Sequence, residues 1–560
     1  MNQADTDNEL DKTWWKEAVV YEVYPRSFND TDGDGVGDIP GITEKADYFD
    51  DLGVDVLWVG PVYDSPNADN GYDIRNYREI HDDFGDMRDW ERLLSALHDR
   101  DIRLIMDLVV NHTSNEHEWF QRSRRREGPY EDYYHWVDGD PDEPPNNWES
   151  IFGGPAWTYD EERGQWYLHL FHEKQPDLNW RVPAVRKDIY EMVNLWLDKG
   201  IDGFRLDAIN LLSKPAGYPD GDPESGLLGN EHYFNGPRIH EYLRELHDET
   251  FAGRDVMTVA EMSHITPADA EAYCGPDGDG LDMTFQFVRD GMDSEDDGRW
   301  ASPDWALSDL KRVLASWQQT AGAWVAPCLG NHDQPRSVSW WGDESYRVES
   351  ATLLATFLLT LRGTPHVYQG EEIGMTNAEF ERLDEIDDPD TLQRVELAIE
   401  AGEADGFDDL REAVNEDSRD HARTPMQWSA DDHAGFTDGE PWLRVNDDYP
   451  EVNVESALAD ESSIWYYYRD LIRFRHEETP LVYGDFDLLL PDHGQFCAYT
   501  RTLEAETLLI VLNWSDAPAT FECDAVETAD SDALVANYDD PPENPAATEF
   551  RPYEAAVYRL

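Results

Sequence analysis

An α/β fold is predicted: a (β/α)8 barrel with an inserted irregular domain after its third strand and an antiparallel β-sandwich at its C-terminal end. Three observations predict it. Eight short apolar runs alternate with segments of helical periodicity, the pattern of a parallel barrel. Three of these runs close on an acid: Asp207 in GFRLD, Glu261 in VMTVAE and Asp333 in LGNHD. The chain has 560 residues, against about 250 for a barrel without insertions, so insertions and a further domain are expected.

The strand-like runs are Val19–Tyr24, Val54–Val59, Ile102–Val110, Gly203–Leu206, Val256–Ala260, Leu281–Phe285, Trp324–Leu329 and Pro365–Tyr368. They are near-continuously apolar, as strands buried on both faces must be. Helical spacing lies between them at Met87–Arg100, Val185–Lys199, Arg238–Thr250 and Leu307–Thr320. A carboxylate at the C-terminal end of such a strand emerges where a barrel carries its active site. One acid there is commonly a helix N-cap or a surface charge. Three, standing among Arg205, Asn331 and His332, argue for a site that uses their charge.

The barrel occupies residues 1–112 and 181–481. Residues 113–180, rich in Trp, Tyr, Pro and Asn and without helical periodicity, form the inserted domain over the barrel mouth. A second, acidic insertion at about 379–420 has helical spacing in Leu392, Val395, Leu397, Ile399, Leu410 and Val414. From residue 482 to 560, short apolar runs (Leu488–Leu490, Gln495–Thr500, Leu508–Leu512, Thr520–Cys523, Ala555–Leu560) alternate with Asp, Pro, Gly and Asn. That is the pattern of an antiparallel sandwich.

Composition excludes several partners. There are 44 basic and 121 acidic residues, a net charge of −77. Nucleic acids and anionic membranes need a basic face, which this chain lacks. Such a surface repels itself at low salt, and concentrated salt screens it, the Debye length falling to roughly 3 Å at 1 M. A halophilic protein is expected. Disorder is excluded, because 40% hydrophobic and 12% aromatic residues build a large core. Cys274, Cys328, Cys497 and Cys523 follow no metal or disulfide spacing, which fits a reducing cytoplasm. The first residues, MNQADTDNELDK, contain no secretion signal, and Ala351–Leu361 is too short to span a bilayer.

DLVVNH (107–112), GFRLD, Glu261 and Asn331-His332-Asp333 resemble the four signature regions of the α-amylase superfamily. QPDLN (175–179) resembles the fifth region in the form used by its oligo-1,6-glucosidase and α-glucosidase branch. WWKEAVVYEVYPRSF (14–28), DNGYDI (69–74), YQGEEIGMTN (368–377) and ARTPMQW (422–428) also resemble that branch, so the likeness covers nearly the whole chain.

The resemblance implies a retaining glycosidase, with two carboxyl groups about 5–5.5 Å apart across the glycosidic bond. By it, Asp207 is the nucleophile and Glu261 the general acid and base, while Asp333 binds sugar hydroxyls and stabilises the cationic transition state. Arg205, on the same strand face as Asp207, keeps that carboxylate ionised. His112 and His332 contact the terminal glucose, Tyr72 forms a stacking floor, and Phe171 lines the wall. Asp69 and Arg423 close the pocket at the non-reducing end, which makes the enzyme exo-acting. Ala208, just after the nucleophile, takes the place of the Val common in α-1,6-cleaving members, so an α-1,4 preference is expected.

Asp30, Asp32, Asp34 and Asp38 alternate with glycines in DTDGDGVGD. This partly follows an EF-hand loop, although Gly41 stands where its twelfth-position Glu belongs. The loop resembles a structural Ca²⁺ or Mg²⁺ site of the same branch, with the Val36 carbonyl as a further ligand. No cofactor is expected for the chemistry itself. The implied substrate is a small α-glucoside. Alternatives on the same scaffold are an oligo-1,6-glucosidase, a transglucosylase or a sucrose isomerase. Isomaltulose-forming relatives carry RLDRD after the sixth strand, where Phe287–Asp293 here reads FVRDGMD. A non-catalytic transporter subunit is disfavoured, because all three acids are present.

Overall fold

The computed structural model describes residues 12–286, 300, 305–319, 322–525, 533–546 and 548–560. The FVRDGMD stretch and the first eleven residues lie outside them. Eight parallel strands form the central sheet: β1 (Val20–Val23), β2 (Val56–Val59), β3 (Arg103–Val109), β4 (Gly203–Asp207), β5 (Met257–Ala260), β6 (Met283–Gln286), β7 (Val325–Pro327) and β8 (His366–Tyr368). Each pairs with its sequence neighbours, β8 pairs with β1, and a parallel bridge from Cys328 to His366 closes the ring. Seven of the eight strands are shorter than the apolar runs predict, because those runs extend into the adjoining loops, while β4 is one residue longer and includes Asp207.

Period-two alternation divides the strand residues between two cores. Val20, Val56, Trp58, Ile105 and Val259 fill the barrel. Tyr21, Leu57, Leu104, Phe204 and Leu206 face outward against the helices. Gly203 opens β4 at φ +154°, and a Cβ there would lie 1.9 Å from the Met257 carbonyl oxygen. Only glycine lets β4 approach β5 so closely.

The helices carry sequence-encoded ends. Met87–His98 starts in a capping box between Asp86 and Asp89. Pro183–Lys199 has proline in its first turn and ends at Gly200 in the left-handed region. Arg347–Thr360 differs: every residue from Ser350 to Thr360 is buried. Water therefore cannot reach its last carbonyls. Two buried arginines supply the donors. Arg475 Nη1 donates to the Leu359 and Leu361 oxygens at 2.8 and 3.0 Å, and Arg501 Nη1 to the Thr360 oxygen at 2.7 Å. Burial pulls Arg475 down to about 10.

The segment 113–180 is more regular than its sequence predicts. It holds a helix at Glu118–Arg124 and a three-stranded antiparallel sheet of Trp136–Val137, Gln165–Leu168 and Trp157–Asp160. Strands of two to four residues are too short to show a period. Its core of Trp148, Trp157, Trp166 and Leu170 includes Leu211 and Tyr233 from beyond β4. In the acidic insertion, helices Pro389–Ala401 and Phe407–Asp417 enclose Phe380, Ile386, Val395 and Val414. Ile399, read as part of the apolar stripe, is 39% exposed, because the buried stripe is Thr391, Val395 and Ala398.

The C-terminal domain is a lopsided sandwich. A five-stranded antiparallel sheet faces a ribbon of only two strands, Ala519–Phe521 and Thr548–Phe550. Phe496, Val511, Phe521 and Phe550 pack between them. The other sheet face, with Tyr499 and Ile510, joins the barrel core. All four cysteines are free thiols. Among the described residues no helix is long and apolar enough to cross a membrane.

Arg475→Met is expected to strip two buried carbonyls of their donor, costing about 2 kcal/mol or more, and to lower the thermal unfolding midpoint. A midpoint equal to wild type in the same salt would show that those carbonyls do not depend on Arg475.

Candidate active site

The parallel register assembles the site. Asp107 on β3 stands opposite Arg205 on β4, and Arg205 stands opposite Val259 on β5. Asp207 and Glu261 lie two residues further along β4 and β5, so both emerge on the same face at the barrel mouth. Arg205 joins all three acids. Its Nη1 is 2.7 Å from Asp107 Oδ1 and 2.6 Å from Asp207 Oδ1, and its Nη2 is 2.7 Å from Glu261 Oε1. The other Glu261 oxygen, Oε2, accepts from the Ala208 backbone N–H at 2.9 Å. That N–H points there because Ala208 sits at φ 42°, ψ 39°, a left-handed conformation costly for a non-glycine residue. Asp107 is further fixed by Trp58 Nε1 at 2.8 Å.

The acids differ in charge preference. Burial pushes Asp207 up to about 6, Asp107 adds to the rise, and Arg205 opposes it. Glu261 is raised by burial and by Asp207 and Asp333, against Arg205. Asp333 goes the other way. Burial disfavours its charge, but His332, Arg419 and Arg423 outweigh that and hold it well below the usual carboxylate range. Asp333 Oδ1 accepts from Arg419 Nη1 at 3.0 Å and Arg423 Nη2 at 2.8 Å.

His332 is clamped. Its ring stacks between Tyr72 (centroids 5.2 Å, 9°) and Tyr24 (5.8 Å, 7°). Nδ1 lies 2.6 Å from Glu22 Oε1 and Nε2 3.1 Å from Asp333 Oδ2. Burial opposes its charge, but the two flanking carboxylates prevail and push it up to about 10. Tyr72, expected as a stacking floor, gives one ring face to His332. His112 behaves differently: burial lowers its pKa. Its Nε2 meets Gln175 Nε2 and the Tyr72 oxygen, each at 3.2 Å, and its ring lies 5.1 Å from Phe171.

Asp69 and Arg423, both expected at the closed end of the pocket, take different partners. Arg423 is 1% exposed, turned toward Asp333, Asp388 and the His332 carbonyl. Arg419, one helical turn earlier, reaches both Asp333 and Asp69, the latter at 3.7 Å. The other Asp69 oxygen accepts from Gln175 at 2.9 Å. Sequence reading left out Arg419, Asp388, Glu22 and Gln175 as site residues. Glu22 carried a signal, a lone acid inside the apolar run of β1. Arg419 carried only its place as a cation among acids.

In the glycine-rich loop, Asp30, Asp32 and Asp38 bring carboxylate oxygens within 4.8 Å of one another. Asp34 is not in this group; its Oδ1 accepts from Val36 N at 2.8 Å. Gly35 sits at φ +94°, and a Cβ there would lie 1.9 Å from the Glu440 oxygen, so the turn requires glycine. Three carboxylates on a tight loop fit a hard divalent cation. Backbone donors already serve all three: Asp30 accepts from Gly33 and Gly35, Asp32 from Asp34, and Asp38 from Gly41.

Comparison with known proteins agrees with this geometry. Residues 22–484 match the alpha-amylase catalytic-domain family. The chain is 48% identical to an oligo-1,6-glucosidase of Parageobacillus thermoglucosidasius, covering 98% of this chain and 100% of that one. It is 45% identical to an alpha-glucosidase of Pediococcus pentosaceus, covering 98% and 99%. The crystal structure of an isomaltulose synthase from Klebsiella sp. LX3 matches with a TM-score of 0.94 at 40% identity, covering 98% and 99%. The eight-stranded barrel, the three acids at its mouth and these likenesses agree that the chain belongs to the alpha-amylase family of glycoside hydrolases.

Proposed function

We propose that the protein is a retaining, exo-acting α-glucosidase that releases terminal α-1,4-linked glucose from maltose and short malto-oligosaccharides. The observation that carries this reading is the single Arg205 guanidinium that contacts both Asp207 and Glu261 at the barrel mouth. Two carboxyl groups bridged by one cation support the close pairing that covalent catalysis needs. Asp207, ionised above about pH 6, attacks the anomeric carbon. Glu261, its pKa raised, gives its proton to the glycosidic oxygen as that bond breaks. The aglycone leaves, and Glu261 takes a proton from water, which attacks the glucosyl ester and frees Asp207. Two inversions leave the α configuration intact. Asp333, held as an anion, faces the positive charge of the transition state. Gln175 and Arg419 both reach Asp69, a cluster that supports a pocket closed at one end and so exo action.

The α-1,4 preference rests on Ala208, whose small side chain beside Asp207 leaves room for the aglycone. The names of relatives favour a second reading, since the 48% identical relative is called an oligo-1,6-glucosidase. The net charge of −77 supports salt dependence, and the free thiols fit action in the cytoplasm. A structural Ca²⁺ or Mg²⁺ held by Asp30, Asp32 and Asp38 would stabilise the loop after β1.

Glucose release from maltose, isomaltose, sucrose and soluble starch, compared in dilute and multi-molar KCl, tests the assignment. Rapid release from maltose, little from isomaltose, and activity confined to high salt are expected. Preference for isomaltose would move the assignment to oligo-1,6-glucosidase, and full activity in dilute buffer would refute salt dependence. Chelation in multi-molar KCl tests the metal: the thermal midpoint falls in wild type but not further in Asp32→Asn. An unchanged wild-type midpoint would remove the metal from the account.

A further inference from the structure

Asp388 lies at the start of the acidic insertion and is fully buried. Its carboxylate caps helix Pro389–Ala401, Oδ2 accepting from Thr391 N at 2.9 Å and Thr391 Oγ1 at 2.5 Å. Oδ1 accepts weakly from Asp390 N at 3.3 Å and also faces two arginines. It accepts from Arg419 Nε at 2.9 Å and Nη2 at 2.5 Å, with Arg423 Nη1 at 3.4 Å. These two arginines are the ones that donate to Asp333, and Arg419 also reaches Asp69. The guanidiniums are thus held between Asp388 behind and the acids of the site in front.

Capping does not explain this arrangement. A cap needs an oxygen acceptor, which asparagine or serine supplies as well as aspartate. The charge is needed only by the arginines, since a buried cation without a counter-ion is costly. Without the Asp388 charge, both guanidiniums would draw more strongly on Asp333, with Asp69 at 3.7 Å from Arg419 and Asp420 at 3.9 Å from Arg423 as their remaining acids. The Asp333 oxygens would then be tied up in ion pairs and less available to sugar hydroxyls.

We propose that Asp388 is a positioning residue for glucose binding: it is the rear counter-ion that shares the charge of Arg419 and Arg423 with Asp333 and Asp69. The acidic insertion thereby becomes part of the glucose pocket. This rests on the α-glucosidase reading.

The test compares Asp388→Asn and Asp388→Ser, which keep the cap but not the charge, with Arg394→Gln. Arg394 pairs with Asp390 and Asp417 within the insertion. The readouts are the glucose dissociation constant by calorimetry and kcat and KM on maltose, in saturating salt. Both Asp388 variants are expected to weaken glucose binding and raise KM about tenfold or more, with a smaller fall in kcat. Arg394→Gln is expected to lower the thermal midpoint while glucose binding stays at the wild-type value. Wild-type glucose affinity in either folded Asp388 variant would overturn the proposal. So would an equal loss in Arg394→Gln, which would make the insertion's stability the cause. Maltose turnover by wild type in the same assay tests the α-glucosidase reading separately, because glucose affinity is read without turnover.

Discussion

The ion pairs of Arg205 are the constraint on which the site depends. A guanidinium in the barrel centre would be costly alone, and so would each of the acids around it. Together they are one cation against three carboxylates, all within hydrogen-bond distance of it. Burial raises all three, and one cation shared among three carboxylates only partly offsets it, so Asp107 and Asp207 both sit near 6 and Glu261 is raised. The planar fork of arginine reaches separate strands from one residue, which a lysine ammonium does not do with the same geometry. The barrel supplies the rest, because its parallel register sets Asp107, Arg205 and Val259 side by side.

Asp333 is built on the opposite principle. It has a surplus of cations around it: protonated His332, Arg419 and Arg423. The carboxyl groups at the barrel mouth are thus driven in opposite directions, and that contrast supports the proposed division of roles, with Glu261 as proton donor and Asp333 as a lasting anion. His332 owes its charge first to Asp333 and then to Glu22 on β1, so the first strand and the loop after the seventh must both be in place before the site has its electrostatics.

The sequence made the barrel legible because its strands are buried on both faces and read as apolar runs, and because the three acids close three of them. Arg205 was legible for the same reason, since a charge two residues before Asp207 on a strand shares its face. The partners of Asp69 were not. Arg419 and Arg423 differ by one turn of a four-residue helix, Asp420–Arg423, that starts just after Arg419. Nothing in the sequence says which of the two looks out. The short strands of the inserted domain were silent because two to four residues carry no period. The lopsided C-terminal sandwich escaped because its second layer has only two strands of three residues each.

The acidic surface and the site address different problems. Salt acts on exposed charges within a Debye length of water, whereas the groups around Arg205 and Asp388 are buried and respond to one another. In the proposed reaction Arg205 presents Asp207 as the nucleophile. The decisive experiment traps the enzyme with 5-fluoro-α-glucosyl fluoride and maps the label by peptide mass spectrometry. One fluoroglucosyl group esterified to Asp207 is expected. A label on Glu261 or Asp333, or an enzyme that turns over maltose but forms no covalent adduct, would contradict it.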